Sequence, residues 1–312
     1  METMILAFNA VFPLLAFMMV GYFLGRIKLL NDKTAAGLNK LVFNVLLPLS
    51  IFYAIYKADI KGGFNVKLSL YVAITCAITY IIISLIVNSR EKDKTIAPVM
   101  TQAIHKANYN LLAIPIAESF FGSSIGMTAV LAVIITPIVN ICSTVEFERA
   151  KGGRVSILKM LKKIILNPLV LSSLLGLLAN LSGIKLPDVI AKDVISKLAA
   201  MATPAAMLAL GAGFDFSKMK KWAKRLSVIC VGKLIILPLI LVPGAILLGI
   251  RGVDLIAVLV YSGSHSAVNS YSTAVSMGGN EELAGEAVAV TSLLCVFTLF
   301  VFLTVLGTLG FI

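Results

Sequence analysis

Charge is scarce in this sequence. Of its 312 residues only 13% are Asp, Glu, Lys or Arg, about half the share of an ordinary soluble domain. That excludes a disordered chain, a nucleic-acid-binding domain and most soluble enzymes. Acids are rarer than bases, 15 against 27, so the net charge is +12. There are two histidines and four cysteines, with no C-x-x-C and no H-x-E, so no metal cluster is expected. Cys76, Cys142, Cys230 and Cys295 all fall inside apolar blocks and read as small membrane-helix residues. Gly-rich phosphate loops and Walker motifs are missing, which leaves ATP-driven pumping without support. No acid pair or nucleophile–base pair falls at mid-membrane depth, so no catalytic residue and no cofactor are expected. The opening METMILAFNA lacks a basic n-region and a small-residue cleavage site, so no signal peptide is read there.

Apolar residues fill the space that charge leaves. They make up 59% of the chain, mean hydropathy is +0.99, and they come in blocks of about 20, the length that crosses a bilayer core. Apolar runs and breakers give ten spans: 5–25, 34–56, 68–88, 96–121, 126–147, 160–182, 189–214, 224–249, 254–277 and 283–308. Little but loops remains, so the chain holds one membrane domain and no soluble one. Seventeen Lys and Arg at loops and span ends lie on one side, including Arg149, Lys151, Arg154 and Lys218, against seven on the other. Basic loops concentrate in the cytoplasm. The expectation is a multi-pass protein of the plasma membrane with both termini outside and the loop 148–159 inside.

The spans repeat. Ile27-Lys28-Leu29 recurs as Ile184-Lys185-Leu186 at an offset of 157. Pro48 is echoed by Pro204, and Phe121-Gly122 by Met277-Gly278, both at 156. Each half then holds five spans, an odd number, so the second half inserts upside down. The expected fold is an all-α polytopic membrane protein of ten transmembrane helices in two inverted five-helix repeats, 1–147 and 160–312, joined by the cytoplasmic loop 148–159. Inverted repeats are common in secondary transporters, whose sites lie where discontinuous helices meet at the midplane.

Two spans are interrupted in equivalent places. Span 4 carries His105, Lys106, Asn108, Asn110 and Pro115 in its middle, and span 9 carries Ser262, Gly263, Ser264, His265, Ser266 and Asn269. Proline removes a helix hydrogen bond, and asparagine offers the freed backbone groups other partners. Lys106 lies about 15 Å into span 4, near the bilayer centre, and Lys233 lies at similar depth in span 8. A charge there is costly and should face a wet cavity or a partner. Glu118 is the nearest acid to Lys106 in span 4, so an internal ion pair is the competing reading. Unpaired, both lysines favour an anion, as do half-helices that point their N-termini at the centre. His105 and His265 would titrate near physiological pH and suit proton coupling, while Glu118 with Asn and Ser oxygens would suit sodium. The other prolines, Pro13, Pro48, Pro137, Pro168, Pro204 and Pro238, are expected to be kinks.

On these residues the chain resembles the auxin efflux carrier family, which includes plant PIN-type carriers and bacterial malate permease-like proteins. LNKLVFNVLLPLSIF in span 2 is similar to the family's segment, with Asn39, Asn44 and Pro48 in place. Asn108…Ala113-Ile114-Pro115 resembles its Asn followed by Gly-x-Pro, with Ala for Gly. His265-Ser266-Ala267-Val268-Asn269-Ser270-Tyr271 resembles its Pro-Thr-Ala-Val-Asn-Ser-Tyr, with His for Pro and Ser for Thr. The resemblance implies a sodium/proton antiporter-like fold in which broken helices 4 and 9 cross in a domain that moves against a scaffold. It also implies export or exchange of organic anions, with Asn108, Pro115 and Asn269 at the crossing. Substrate contacts are thus expected from Lys106, Asn108, Asn110, Pro115, Lys233, His265, Ser266 and Asn269. The expected partners are a small organic anion and the lipid bilayer, with no nucleic acid. A homodimer, and coupling to H+ or Na+, stay open. A membrane sensor that binds its ligand without moving it is the alternative, and it would ordinarily carry a soluble output domain.

Overall fold

The computed structural model describes residues 2–57, 65–109, 112–113, 116, 126–152, 162, 165–214 and 219–312. Those residues are helical, and the β-structure among them is one isolated bridge between Ala107 and Ser266. The first half contains α1 (Glu2–Arg26), α2 (Asp32–Lys57), α3 (Val66–Arg90), α4 (Ala97–His105) and α5 (Gly126–Ala150). The second contains α6 (Pro168–Leu181), α7 (Val189–Ala212), α8 (Lys220–Leu247), α9 (Gly252–Gly263), α10 (Asn269–Met277) and α11 (Glu281–Thr308). Among the described residues α2, α3, α7, α8 and α11 are each long and apolar enough to cross a membrane. Their outer faces carry exposed Leu85, Val194, Leu239, Ile240 and Phe297, a surface suited to lipid and not to water.

Asparagine side chains start four of the helices. Asn31, Asn65, Asn167 and Asn280 each accept a hydrogen bond from a backbone N–H two or three residues on. These groups have no partner within the helix, so the cap replaces water that a membrane does not supply. The prolines divide by role. Pro168 opens α6 behind Asn167 and does not kink it, because the first helical position needs no N–H. Pro48 and Pro238 each lie two residues beyond a π-helical turn, Val42–Leu46 and Gly232–Ile236. Proline crowds the carbonyl four residues back, and in both helices that residue lies in the widened turn.

Packing between the halves is reciprocal. The first helix of one half lies on the second helix of the other, as α1 on α7 and α6 on α2. Gly21, Gly25 and Gly211 let α1 and α7 touch backbone to backbone: a Cβ on Gly211 would overlap the Met18 carbonyl, and one on Gly21 the Leu208 carbonyl. Helices α1, α2, α6 and α7 pack mainly on one another. Among the remaining helices α5, α8 and α11 pack on α9, whose residues Leu255–Val260 are fully buried, and this second group contains both helix breaks.

Candidate functional site

Helix α4 ends at His105 and α9 ends at Gly263, and the chain beyond each end is extended. The two extended segments pair antiparallel. Asn108 donates its N–H to the His265 carbonyl at 3.0 Å, and Ala267 donates to the Lys106 carbonyl at 3.0 Å. Backbone groups freed by two broken helices thereby satisfy one another, which buried backbone requires. Ser266 completes the junction. Its hydroxyl donates to the Ala103 carbonyl in the last turn of α4 at 2.6 Å, and its N–H donates to Thr291 Oγ1 of α11 at 3.1 Å.

Both histidines are committed to this framework. His105 is 3% exposed, and its Nε2 donates to the Cys76 carbonyl at 2.9 Å while its ring meets Tyr80 edge-on. His265 is fully buried, and its Nδ1 lies 2.8 Å from the Ser266 carbonyl. A carbonyl only accepts, so Nδ1 carries the proton and Nε2 is left to accept from the Asn108 amide at 3.4 Å. Lys233, also fully buried, donates from Nζ to the Tyr261 carbonyl at 3.3 Å, near the end of α9. A cation there offsets the partial negative charge of the helix C-terminus. Half-helices that start after the breaks are expected to turn their N-termini to the centre: α10, which follows the break after α9, begins at the junction, and the segment after the α4 break lies largely outside the described residues.

Lys106 differs from Lys233. It is 3% exposed, and its ammonium has no hydrogen-bond partner among the described residues. It lines a cavity of about 210 Å³ together with Asn108, Tyr109 and Asn269. The Asn269 side-chain oxygen is likewise buried without a partner. Ser50 of α2, Thr136 and Asn140 of α5, and Thr203 of α7 complete the polar wall. The cavity thus lies between the two helix groups, with α2 and α7 on one side and the helix breaks on the other. A cation, three amides and several hydroxyls around so small a space suit a small anion with hydrogen-bonding oxygens.

Of the expected site residues, Lys106, Asn108 and Asn269 line this cavity, while His105, Lys233, His265 and Ser266 pack around the junction without lining it. Asn110, Pro115 and Glu118 lie outside the described residues. Sequence reasoning missed Ser50, Thr136, Asn140 and Thr203. A usable signal was present, because Thr136 and Thr203 each precede a proline inside an apolar span. It also missed Glu146, a buried carboxylate that accepts hydrogen bonds from Tyr80, Ser84 and Asn88 of α3. No group of His, Cys, Asp and Glu able to hold a metal ion is found among the described residues.

A multi-pass helical protein with a polar cavity between its helices has the architecture of a membrane transporter. The chain belongs to the membrane transport protein family, whose model matches residues 6–153 and again 152–303. This is the auxin efflux carrier and malate permease-like family that the sequence resembles. The chain is also 25% identical over 292 residues to an uncharacterized transporter of Methanothermobacter thermautotrophicus, across 93% of this chain and 95% of the relative.

Proposed function

We propose that this protein is a secondary active or facilitative transporter of small organic anions, of the auxin-like or dicarboxylate class. It works by alternating access, with its site at the crossing of broken helices 4 and 9. The observation that carries the reading is the buried Lys106 ammonium, without a hydrogen-bond partner among the described residues and facing the cavity beside Asn269. A charge desolvated in this way attracts a carboxylate much more strongly than it would in water. Ten membrane helices in two inverted repeats, 1–147 and 160–312, are part of the same proposal. It is supported by the double family match and by the reciprocal packing of α1 on α7 and α6 on α2. The four helices α1, α2, α6 and α7 would be the scaffold, and the group holding the breaks would move against it. If a proton is coupled, His265 is the first carrier to test, because its ring contacts Asn108 at the cavity wall.

The test is binding of malonate and indole-3-acetate, and of their amides, to wild type and Lys106→Gln. The variant should lose about tenfold or more in carboxylate affinity and much less for the amides, about 1.4 kcal/mol of selectivity. An equal drop for acid and amide, or a fall in melting temperature without a change in selectivity, rejects the anion site. The second result would identify Lys106 as half of a structural ion pair.

A further inference from the structure

The first turns of α8 carry four cations, Lys220, Lys221, Lys224 and Arg225, around Trp222. Two of them are tied within the fold. Lys221 Nζ donates to Glu282 of α11 at 3.1 Å and lies 4.7 Å from the Trp222 ring centroid. Arg225 Nε donates to Glu91 beyond α3 at 2.7 Å and lies 5.4 Å from the same ring. That guanidinium holds the Glu91 carboxyl below its ordinary value of 4.5. Lys220 and Lys224 are one helical turn apart, both exposed, and make no ion pair or hydrogen bond among the described residues.

Lys220 lines an open groove between α8 and α11, and Lys224 lies one helical turn further along α8, outside the groove's lining. Beside Lys220 its lining includes Leu226, Ser227, Cys230, Val231, Val290 and Leu294, around about 460 Å³. Val231 and Leu294 are among the exposed apolar residues of the surface. From Lys220 to Val231 the groove follows α8 for about 16 Å, the thickness of one leaflet of hydrocarbon. The groove is therefore cationic where the helix enters the membrane and apolar from there to mid-bilayer.

We infer that this groove is a binding site for one anionic phospholipid of the leaflet in which α8 begins. Lys220 and Lys224 hold its phosphate, and one acyl chain lies along Leu226, Val231 and Leu294. Charge complementarity selects the occupant. A zwitterionic lipid would fill the apolar part but leave both lysines without a net counter-charge, and a free phosphate would leave the apolar part empty. Basic pockets between membrane helices recognise anionic headgroups in this way.

The experiment is native mass spectrometry of the intact, detergent-purified protein titrated with palmitoyl-oleoyl phosphatidylglycerol or phosphatidylcholine of the same chains. Wild type should bind the first phosphatidylglycerol at least about fivefold more tightly than phosphatidylcholine. K220Q/K224Q should lose that preference, whereas K33Q, which removes an exposed lysine elsewhere, should keep it. Val231→Trp, which fills the groove from an exposed position, should weaken both lipids. Equal binding of the two lipids to wild type, full preference retained in K220Q/K224Q, or unchanged binding in Val231→Trp each overturns the proposal. Competition by glycerol 1-phosphate as effective as by the intact lipid also overturns it, in favour of a plain phosphate site.

Discussion

The family resemblance sets Asn108 and Asn269 together at the crossing, yet they meet different neighbours. Asn108 is part of the junction: its N–H bonds the His265 carbonyl and its amide touches the His265 ring. Asn269 leaves its side-chain oxygen buried at the cavity without a partner among the described residues. An unsatisfied buried polar atom costs free energy that a ligand donor or water can recover. Asn269→Ala is therefore expected to weaken substrate binding about tenfold with little change in melting temperature. Asn108→Ala should weaken binding and also lower the melting temperature, because it strips the His265 ring of a donor. Binding and thermal unfolding of the two variants, measured side by side, separate the roles. Wild-type binding in both places the site elsewhere.

Which residues mattered was half legible at this scale. Lysine and asparagine in an apolar span announce themselves, because the bilayer penalises them wherever they stand. Which of the two lysines faces the cavity was not legible. Lys106 and Lys233 lie at similar depth along their helices, and only the partner across the fold, the Tyr261 carbonyl in one case, distinguishes them. The histidines show the same dependence on tertiary partners. Both read as candidate proton carriers, and in the structure His105 bonds the Cys76 carbonyl of α3 while His265 bonds the Ser266 carbonyl at the junction.

Among the elements, the closest approach is α1 on α7. It is carried by glycines, since any side chain at Gly211 would have to occupy the space of the Met18 backbone. Gly211→Leu is expected to destabilise the protein by about 1–3 kcal/mol, as overpacking does. Gly37 of α2 is the internal control. A Cβ there meets nothing, so Gly37→Ala should raise stability by about 0.5–1 kcal/mol through helix propensity alone. Thermal unfolding in detergent reads both changes, and a Gly211→Leu protein that melts with wild type would show that the two helices can separate at no cost. Prolines show why element boundaries were harder to read. The residue type marks a missing hydrogen bond, but a helix start, as at Pro168, and a π-turn, as before Pro48 and Pro238, both accommodate it.

For the whole molecule, the charge asymmetry of 17 against 7 predicts the orientation. A cysteine replacing Val155, in a background without the native cysteines, should be protected from a membrane-impermeant thiol reagent added outside intact cells. A cysteine appended after Ile312 should be labelled. The reverse pattern would invert the topology and, with it, the leaflet of the lipid groove at Lys220.

Composition and periodicity alone determined that the chain is a helical membrane protein, because about 20 apolar residues in a row have few other stable fates. The repeat offset and the two polar interruptions also marked where the helices would fail, since a lost helix hydrogen bond is a local event. Tertiary structure decided the rest. Ser50, Thr136, Asn140 and Thr203 come from three helices far apart in the chain and become a wall only when α2, α5 and α7 close around Lys106. The antiparallel pairing of Ala107 with Ser266 joins residues 159 positions apart. Neither is encoded in any local run of residues. The pairing follows from the requirement that every backbone group freed in the membrane interior find its partner inside the protein.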